Sequence, residues 1–275
     1  KRTAWQEAIL LWDEFQEMGH SPGGGEGAVV LSAWAREGNW QEAVALLEDL
    51  RNFSVPMDNH LYSAAISSCP GAVWALSLQL MDDAVRRKVT PDVFTYNAVM
   101  KVLARGKQYA QAEELLEDME YWGVDPDKFT LTSLMSVAAS EGQWQRVLAL
   151  LQFMIEEKLK PDSFTLATAI RACSLANQWE ASLSVFDTAR RRYADNNDVN
   201  CAILKTLRKA GKWERMTTLL ENMTRFDKQP PPLAFKIVLE ACAEAGQGEQ
   251  ALHCLAQMEE AGFPPREDAL VFASR

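Results

Sequence analysis

The sequence predicts an all-α fold: an α–α superhelical solenoid of about seven complete helical-hairpin repeats of 34–35 residues, plus a partial N-terminal repeat. Three observations predict it. The first is an aromatic marker in the phrases TAWQEA, GNWQEA, AVWALS, KQYAQA, GQWQRV, NQWEAS, GKWERM and GQGEQA. Their third letters fall at Trp5, Trp40, Trp74, Tyr109, Trp144, Trp179, Trp213 and Gly248, in steps of 35, 34, 35, 35, 35, 34 and 35. The second is a Pro-Asp marker on the same beat, closing at Asp58 (as PMD), Asp92, Asp127 and Asp162, and altered at Pro230-Pro231 and Pro264-Pro265. The third is a pair of apolar stretches at helical spacing within each period.

The elements follow in order from one period. VFTYNAVMKVLAR (93–105) carries Phe94, Val99, Val102 and Leu103 toward one side, so it predicts a first helix. GKQ predicts a turn. YAQAEELLEDMEYWG (109–123) sets Ala112, Leu115, Leu116 and Met119 at helical spacing and predicts a second helix. Gly123 serves as its C-terminal cap, Pro126 blocks continuation, and Asp127 stands where the next helix needs an N-cap. One such hairpin cannot bury its apolar face alone, whereas stacked neighbours can.

Counted from the Pro-Asp marker, complete repeats run 24–58, 59–92, 93–127, 128–162, 163–196, 197–231 and 232–266. Residues 1–23 read as a second helix with its closing turn, and 267–275 as the start of a capping helix. Because solenoids need polar caps, further chain is expected before residue 1. The glycines of PGGGEG (22–27) are expected to loosen the start of the first complete repeat, since glycine disfavours helix by roughly 1 kcal/mol; no GK[ST] follows, so they do not make a phosphate loop.

Composition excludes several classes. With 48% hydrophobic and 24% charged residues, the chain is too apolar for disorder. No apolar run reaches the roughly 18–20 residues of a lipid-spanning segment, and no secretory signal is visible. Cys69, Cys173, Cys201, Cys242 and Cys254 form no CxxC pair, which speaks against a disulfide framework and against a cysteine-held metal. Cys69, Cys173 and Cys242 share the eleventh place of their repeats and read as buried packing groups. His20, His60 and His253 fall at unrelated places, so no metal or acid–base constellation is indicated. The expectation is a chain that is not an enzyme and carries no cofactor. The tryptophans opening second helices read as core, while Trp12 and Trp122 read as surface residues.

Two repeat families share this period. The W-x2-L-G-x2-Y pattern of tetratricopeptide repeats is absent. The 35-residue beat, the Pro-Asp ending, and VFTYNAVM and SFTLATAIRAC as openings of first helices resemble pentatricopeptide repeats. The resemblance spans essentially the whole chain, closest over 93–162 and loosest over 59–92, 197–231 and 232–266. It implies an organellar location (mitochondrion or plastid). It also implies binding of single-stranded RNA, an organellar transcript, at about one base per repeat, in RNA processing, stability or translation.

The resemblance further implies that a base is read by the fifth residue of a repeat together with its last. The pairs are Ala28 with Asp58, Ser63 with Asp92, Asn97 with Asp127, Thr132 with Asp162, and Ala167 with Asn196. Cys201 with Pro231 and Lys236 with Arg266 depart from the pattern. Asn97 with Asp127 resembles a uracil-reading pair, and Thr132 with Asp162 a guanine-reading one. The second residue stacks between bases, which implies that role for Phe94, Phe129 and Phe164. An aromatic ring so placed contributes roughly 1–3 kcal/mol per base.

The net charge of −10 speaks against a polyanion partner, but its distribution matters more. On the first thirteen residues of each repeat, Arg36, Lys101, Arg105, Lys128, Arg171, Lys205, Arg208, Lys209 and Lys236 face only Glu26, Asp198, Glu240 and Glu244. Arg36, Lys101, Arg105, Arg171 and Lys209 are the candidate phosphate contacts. Much of the acid lies on second helices, as in EELLEDME (113–120). An alternative is a scaffold subunit of a large organellar complex, a ribosome or a membrane energy-converting complex, in which protein subunits are the partners. Decay of the reading pairs in the last repeats and exposed tryptophans favour it. The run of Phe94, Phe129 and Phe164 favours RNA.

Overall fold

A computed structural model describes Trp12, Glu14 and residues 24–193, 196–225 and 230–263. The expected partial repeat at 1–23, apart from Trp12 and Glu14, and the expected capping helix at 267–275 lie outside the described residues. Among the described residues there is no strand. Among the described residues, fourteen α-helices run α1 Gly24–Glu37, α2 Trp40–Asn52, α3 Asn59–Ser68, α4 Trp74–Arg86, α5 Val93–Gly106, α6 Tyr109–Tyr121, α7 Lys128–Ser140, α8 Trp144–Glu156, α9 Ser163–Leu175, α10 Trp179–Tyr193, α11 Asn197–Lys209, α12 Trp213–Arg225, α13 Pro232–Glu244 and α14 Gly248–Glu260. A short 3-10 turn, Gly71–Val73, precedes α4.

The chain divides into two compact units, Lys1–Val137 and Ala138–Arg275. In the first, α1 packs on α3 and α3 on α5, with α2, α4 and α6 each set against its own first helix. In the second, α9 packs on α11 and α11 on α13, with α10, α12 and α14 as their partners. First helices therefore stack on first helices in each unit, which is how a hairpin with one apolar face finds a second surface.

Local chemistry explains the helix starts. Asp58, Asp92, Asp127 and Asp162 accept the backbone N–H of Leu61, Thr95, Thr130 and Thr165, each at 2.9 Å. Asn196 caps α11 through the N–H groups of Asp198 and Val199. Each such cap contributes about 1 kcal/mol. The second helices begin without that help: Asn39, Gln108, Gln143 and Gln247 make no side-chain cap bond. Packing positions them instead, through Leu46, Leu47 and Leu50 in α2 and through Ala112, Leu115, Leu116 and Met119 in α6, all buried.

Gly123 ends α6 with φ of 69°, as expected of a C-terminal cap. In the GKQ turn the left-handed residue is Lys107, at φ 55°, and Gly106 stays in α5. Gly106 is needed for something else: a Cβ there would lie 2.6 Å from the carbonyl oxygen of Gly71. Gly71 is held just as closely, its own Cβ position being 2.5 Å from the Arg105 carbonyl carbon and the Gly106 nitrogen.

Four expectations are corrected. Gly24, Gly25 and Gly27 do not loosen the first repeat, because they lie within the helix α1. Gly27 lets that helix close on α2, where a Cβ would meet Leu50 at 2.6 Å. Trp12 is not a surface residue but is 4% exposed. Trp40, Trp74, Trp144, Trp179 and Trp213 are half-buried rather than sealed in the core. Trp179 shows why: Lys212 and Arg215 lie over its ring at 5.0 and 5.4 Å from the centroid, so an outer face of the indole meets cations. Finally, Phe94 leaves the buried side of α5 that Val99, Val102 and Leu103 share, and is 78% exposed.

The five cysteines are free and buried, which for Cys69, Cys173 and Cys242 is what the packing reading expects. Burial pushes the thiols of Cys69 and Cys173 up to about 11 and that of Cys254 to about 12, and raises those of Cys201 and Cys242. The thiolate is the reactive form. The native chain should therefore release almost no colour from an aromatic disulfide reagent at pH 8 within minutes, and all five thiols should react on unfolding; one rapidly titrating thiol in the native chain contradicts this burial.

Candidate nucleic-acid interface

The third hairpin places the candidate residues most clearly. Asp92 caps α5, so its first turn is fixed and presents Phe94 outward, Thr95 and Tyr96 inward and Asn97 at the half-buried edge. One hairpin on, Asp127 caps α7 in the same way and Phe129 is 70% exposed. An aromatic ring that costs apolar exposure on two successive first helices is not serving the core.

Between them, Asn97 reaches across to the start of the next hairpin. Its Nδ2 donates to Asp127 Oδ2 at 3.1 Å, and its Oδ1 accepts the Thr130 hydroxyl at 2.6 Å. Thr130 is fully buried, donates its backbone N–H to Asp127 Oδ1, and accepts the Asp127 N–H at 3.3 Å. The expected pair of Asn97 with Asp127 is thus a direct contact. Thr130 is a third member that the sequence reading missed. The signal was present in the repeat of Thr95, Thr130 and Thr165 at the third place, but a threonine there also reads as an ordinary helix-start residue.

The other candidates are arranged differently. Ser63 sends its hydroxyl back to the His60 carbonyl at 3.1 Å, while Asp92 is engaged by Thr95, whose hydroxyl donates to it at 2.9 Å. Thr132 is half-buried on α7, and Asp162 is engaged by the N–H and hydroxyl of Thr165. Ala167 is half-buried and has only a methyl group to offer; Asn196 uses its amide oxygen as the cap of α11. Phe164, at the second place of α9, is 60% exposed. Ala28 and Cys201 are buried, so neither fifth place presents a side chain.

Among the phosphate candidates, Lys101, Arg105 and Arg171 are exposed on α5 and α9. Lys209 donates to the Ser174 carbonyl at 3.1 Å. The side chain of Arg36 lies outside the described residues. The structure also removes a cation that the charge balance included. Arg208 on α11 pairs with Glu240 and Glu244 on α13, and Lys236 lies 3.9 Å from Glu240. The Glu244 hydrogen bond raises the Arg208 pKa, and Arg208 in turn holds Glu244 below the usual carboxylate range. Arg208 is thus neutralised between α11 and α13, while Lys205 on α11 stays exposed.

A cavity of about 700 Å³ opens against α10 and α12, lined by Trp179, Leu183, Asp187 and Arg215 among others, on second helices and away from the candidate residues. Among the described residues no group of His, Cys, Asp or Glu is placed to hold a metal ion.

Comparison with known proteins gives these residues a family. The PPR repeat family model matches residues 91–140, and the PPR repeat model matches 29–55, 129–159 and 234–263. The crystal structure of the pentatricopeptide repeat protein PPR10 from maize is similar at a TM-score of 0.75 and 25% identity, over 98% of this chain and 39% of that one. PPR10 in complex with an 18-nt psaJ RNA element matches at a TM-score of 0.50 and 24% identity, over 98% of this chain and 38% of that one. The PPR domain of Arabidopsis thaliana protein-only RNase P 1, in complex with tRNA, matches at a TM-score of 0.51 and 16% identity, over 58% of this chain and 86% of that one. No curated protein matches the sequence. The chain spans 39% of the length of the maize protein. Repeat models over 29–55, 91–159 and 234–263, together with that helical match, make this chain a member of the pentatricopeptide repeat family.

Proposed function

We propose that the chain binds single-stranded RNA along the first helices of its central repeats, within 94–196 in the frame 24–58, 59–92, 93–127, 128–162, 163–196, 197–231 and 232–266. Asn97 with Asp127 reads one base, Thr132 with Asp162 the next, and Ser63 with Asp92 and Ala167 with Asn196 flank them. Phe94, Phe129 and Phe164 stack on bases, and Lys101, Arg105, Arg171 and Lys209 meet phosphates. The target is an organellar transcript, in a mitochondrion or plastid, and the role is non-catalytic. PPR10 with its RNA element and the RNase P domain with tRNA support a nucleic-acid partner.

The observation that carries the reading is the pair of exposed rings, Phe94 and Phe129, with the polar Asn97–Asp127 contact between them in sequence. Rings give any unstacked base a surface, and a carboxamide gives its edge a donor and an acceptor. The test is binding of short single-stranded RNAs at low and moderate salt. Phe129→Ala should weaken binding about tenfold, within the range of a lost base stack, and Asn97→Ala should weaken it less and flatten base preference. Absence of binding at low salt, or binding indifferent to both changes, overturns the proposal.

A second reading, a protein scaffold, has one observation in its favour. Tyr121 and Trp122, at the end of α6, are 82% and 50% exposed and meet edge-on at 5.7 Å between centroids. They sit among the exposed acids Glu117, Asp118 and Glu120, a surface that repels RNA. Loss of RNA binding without loss of a co-purifying complex would favour it.

A further inference from the structure

The carboxamide of Asn97 has an orientation that chemistry dictates. A carboxylate only accepts hydrogen bonds, so the group facing Asp127 Oδ2 at 3.1 Å must be the Asn97 nitrogen. The amide oxygen then faces the Thr130 hydroxyl at 2.6 Å. A hydroxyl carries one proton. The Asn97 oxygen is nearer to it than Asp127 Oδ1, which lies at 3.0 Å and already accepts the Thr130 N–H. Thr130 is itself immobilised, because it is fully buried and bonded through both its N–H and its Oγ1 to Asp127.

We propose that Thr130 is a positioning and specificity-determining residue for Asn97: its hydroxyl pins the amide oxygen so that the remaining donor and acceptor are offered to an RNA base in one fixed orientation. This rests on the RNA reading above. Of the two N–H groups on Nδ2, one is committed to Asp127; of the two lone pairs on Oδ1, one is committed to Thr130. One donor and one acceptor remain on a side chain that is half exposed. The terminal amide torsion is broad when unrestrained. Without the hydroxyl, the planar amide is held only at its nitrogen by Asp127 and can pivot about that contact, so its free donor and acceptor are less fixed relative to the base.

The contact distinguishes this repeat from its neighbour. Thr95 is also buried at the third place, but the fifth residue that precedes it, Ser63, turns its hydroxyl to His60 of its own helix. There the Thr95 hydroxyl goes to the Asp92 cap.

The test uses the full chain and a randomised single-stranded RNA pool, with bound sequences read for wild type, Asn97→Ala, Thr130→Val and Thr130→Ser at equal occupancy. The position whose base preference falls in Asn97→Ala identifies the base that Asn97 reads. Thr130→Val should lower preference there about fivefold, as expected of one lost hydrogen bond, and leave other positions unchanged. Thr130→Ser keeps the hydroxyl and should retain the preference.

An intact preference in Thr130→Val, a uniform loss at all positions, or loss in Thr130→Ser as well as in Thr130→Val overturns the assignment to Thr130 while leaving RNA binding in place. If no position responds to Asn97→Ala, the assignment also falls. A wild-type chain that selects no RNA overturns the RNA reading, and this proposal with it.

Discussion

Asp83→Ala should destabilise the first unit by about 2–3 kcal/mol, because it leaves a buried hydroxyl and a half-buried guanidinium without their carboxylate. Asp83 on α4 accepts the Tyr62 hydroxyl at 2.7 Å, pairs with Arg51 of α2, and accepts Arg87 Nε at 3.1 Å. Tyr62 is fully buried, and Arg51 also lies over its ring, 5.9 Å from the centroid. The cluster therefore ties α2, α3 and α4 together. Desolvation pushes the Asp83 carboxyl up, but the Tyr62 hydrogen bond, Arg51 and Arg87 outweigh it and hold the pKa below the ordinary carboxylate value.

The sign of the pH dependence follows. A depressed folded-state pKa stabilises the fold above the unfolded value, near 3.8, and that contribution is lost as pH falls through the folded value. The gap in urea midpoint between wild type and Asp83→Ala should be full at pH 6 and shrink below pH 4. A gap that stays constant down to pH 2.5 contradicts the ionised role. Tyr62 behaves oppositely: burial and then the Asp83 bond raise its pKa, so its contribution is present below pH 10 and fades above. Tyr96, one period later, is an internal control. It is fully buried, pushed up to about 12 by burial and by the charge of Asp118, and its hydroxyl has no hydrogen-bond partner among the described residues. Tyr96→Phe should be neutral or stabilising where Tyr62→Phe costs about 1 kcal/mol.

Gly71→Ala is the second large effect, with an expected loss of about 2 kcal/mol from overpacking and a fall in Tm of about 4–8 °C. The new methyl would stand 2.5 Å from backbone atoms of Arg105 and Gly106, which cannot rotate away as a side chain can. The turn before α4 must then lift off the end of α5. At a compatible site the same substitution stabilises by about 0.4–1 kcal/mol. Gly248, with nothing within 4 Å, is such a site, so Gly248→Ala should raise Tm. Equal shifts of the same sign at both positions would show that the Gly71–Gly106 approach is not limiting.

The helices were largely legible because their signals are local. The 34–35-residue beat, the caps at Asp92, Asp127 and Asp162, and the left-handed Gly123 involve residues a few places apart, so composition and spacing expose them. The Lys107 turn was half-legible: the glycine beside it suggested a turn, but that glycine serves a neighbour thirty-five residues away. The tryptophan marker kept the register yet misjudged burial, because a ring at the start of a second helix can pack on one side and meet cations such as Lys212 and Arg215 on the other.

The candidate site divides in the same way. From sequence alone came the repeat register, the places of Phe94, Asn97 and Phe129, and Asp127 as helix cap; the family resemblance implied Asp127 as partner of Asn97. The tertiary structure alone decided that the two rings are exposed, that Thr130 pins the Asn97 amide, that Arg208 is neutralised by Glu240 and Glu244, and that Gly71 and Gly106 touch. Helix period and capping act over three or four residues and are written into every repeat. These later contacts join residues more than thirty positions apart or turn on which face a helix buries, and are set by how closely neighbouring hairpins approach and by the rotamers that approach permits.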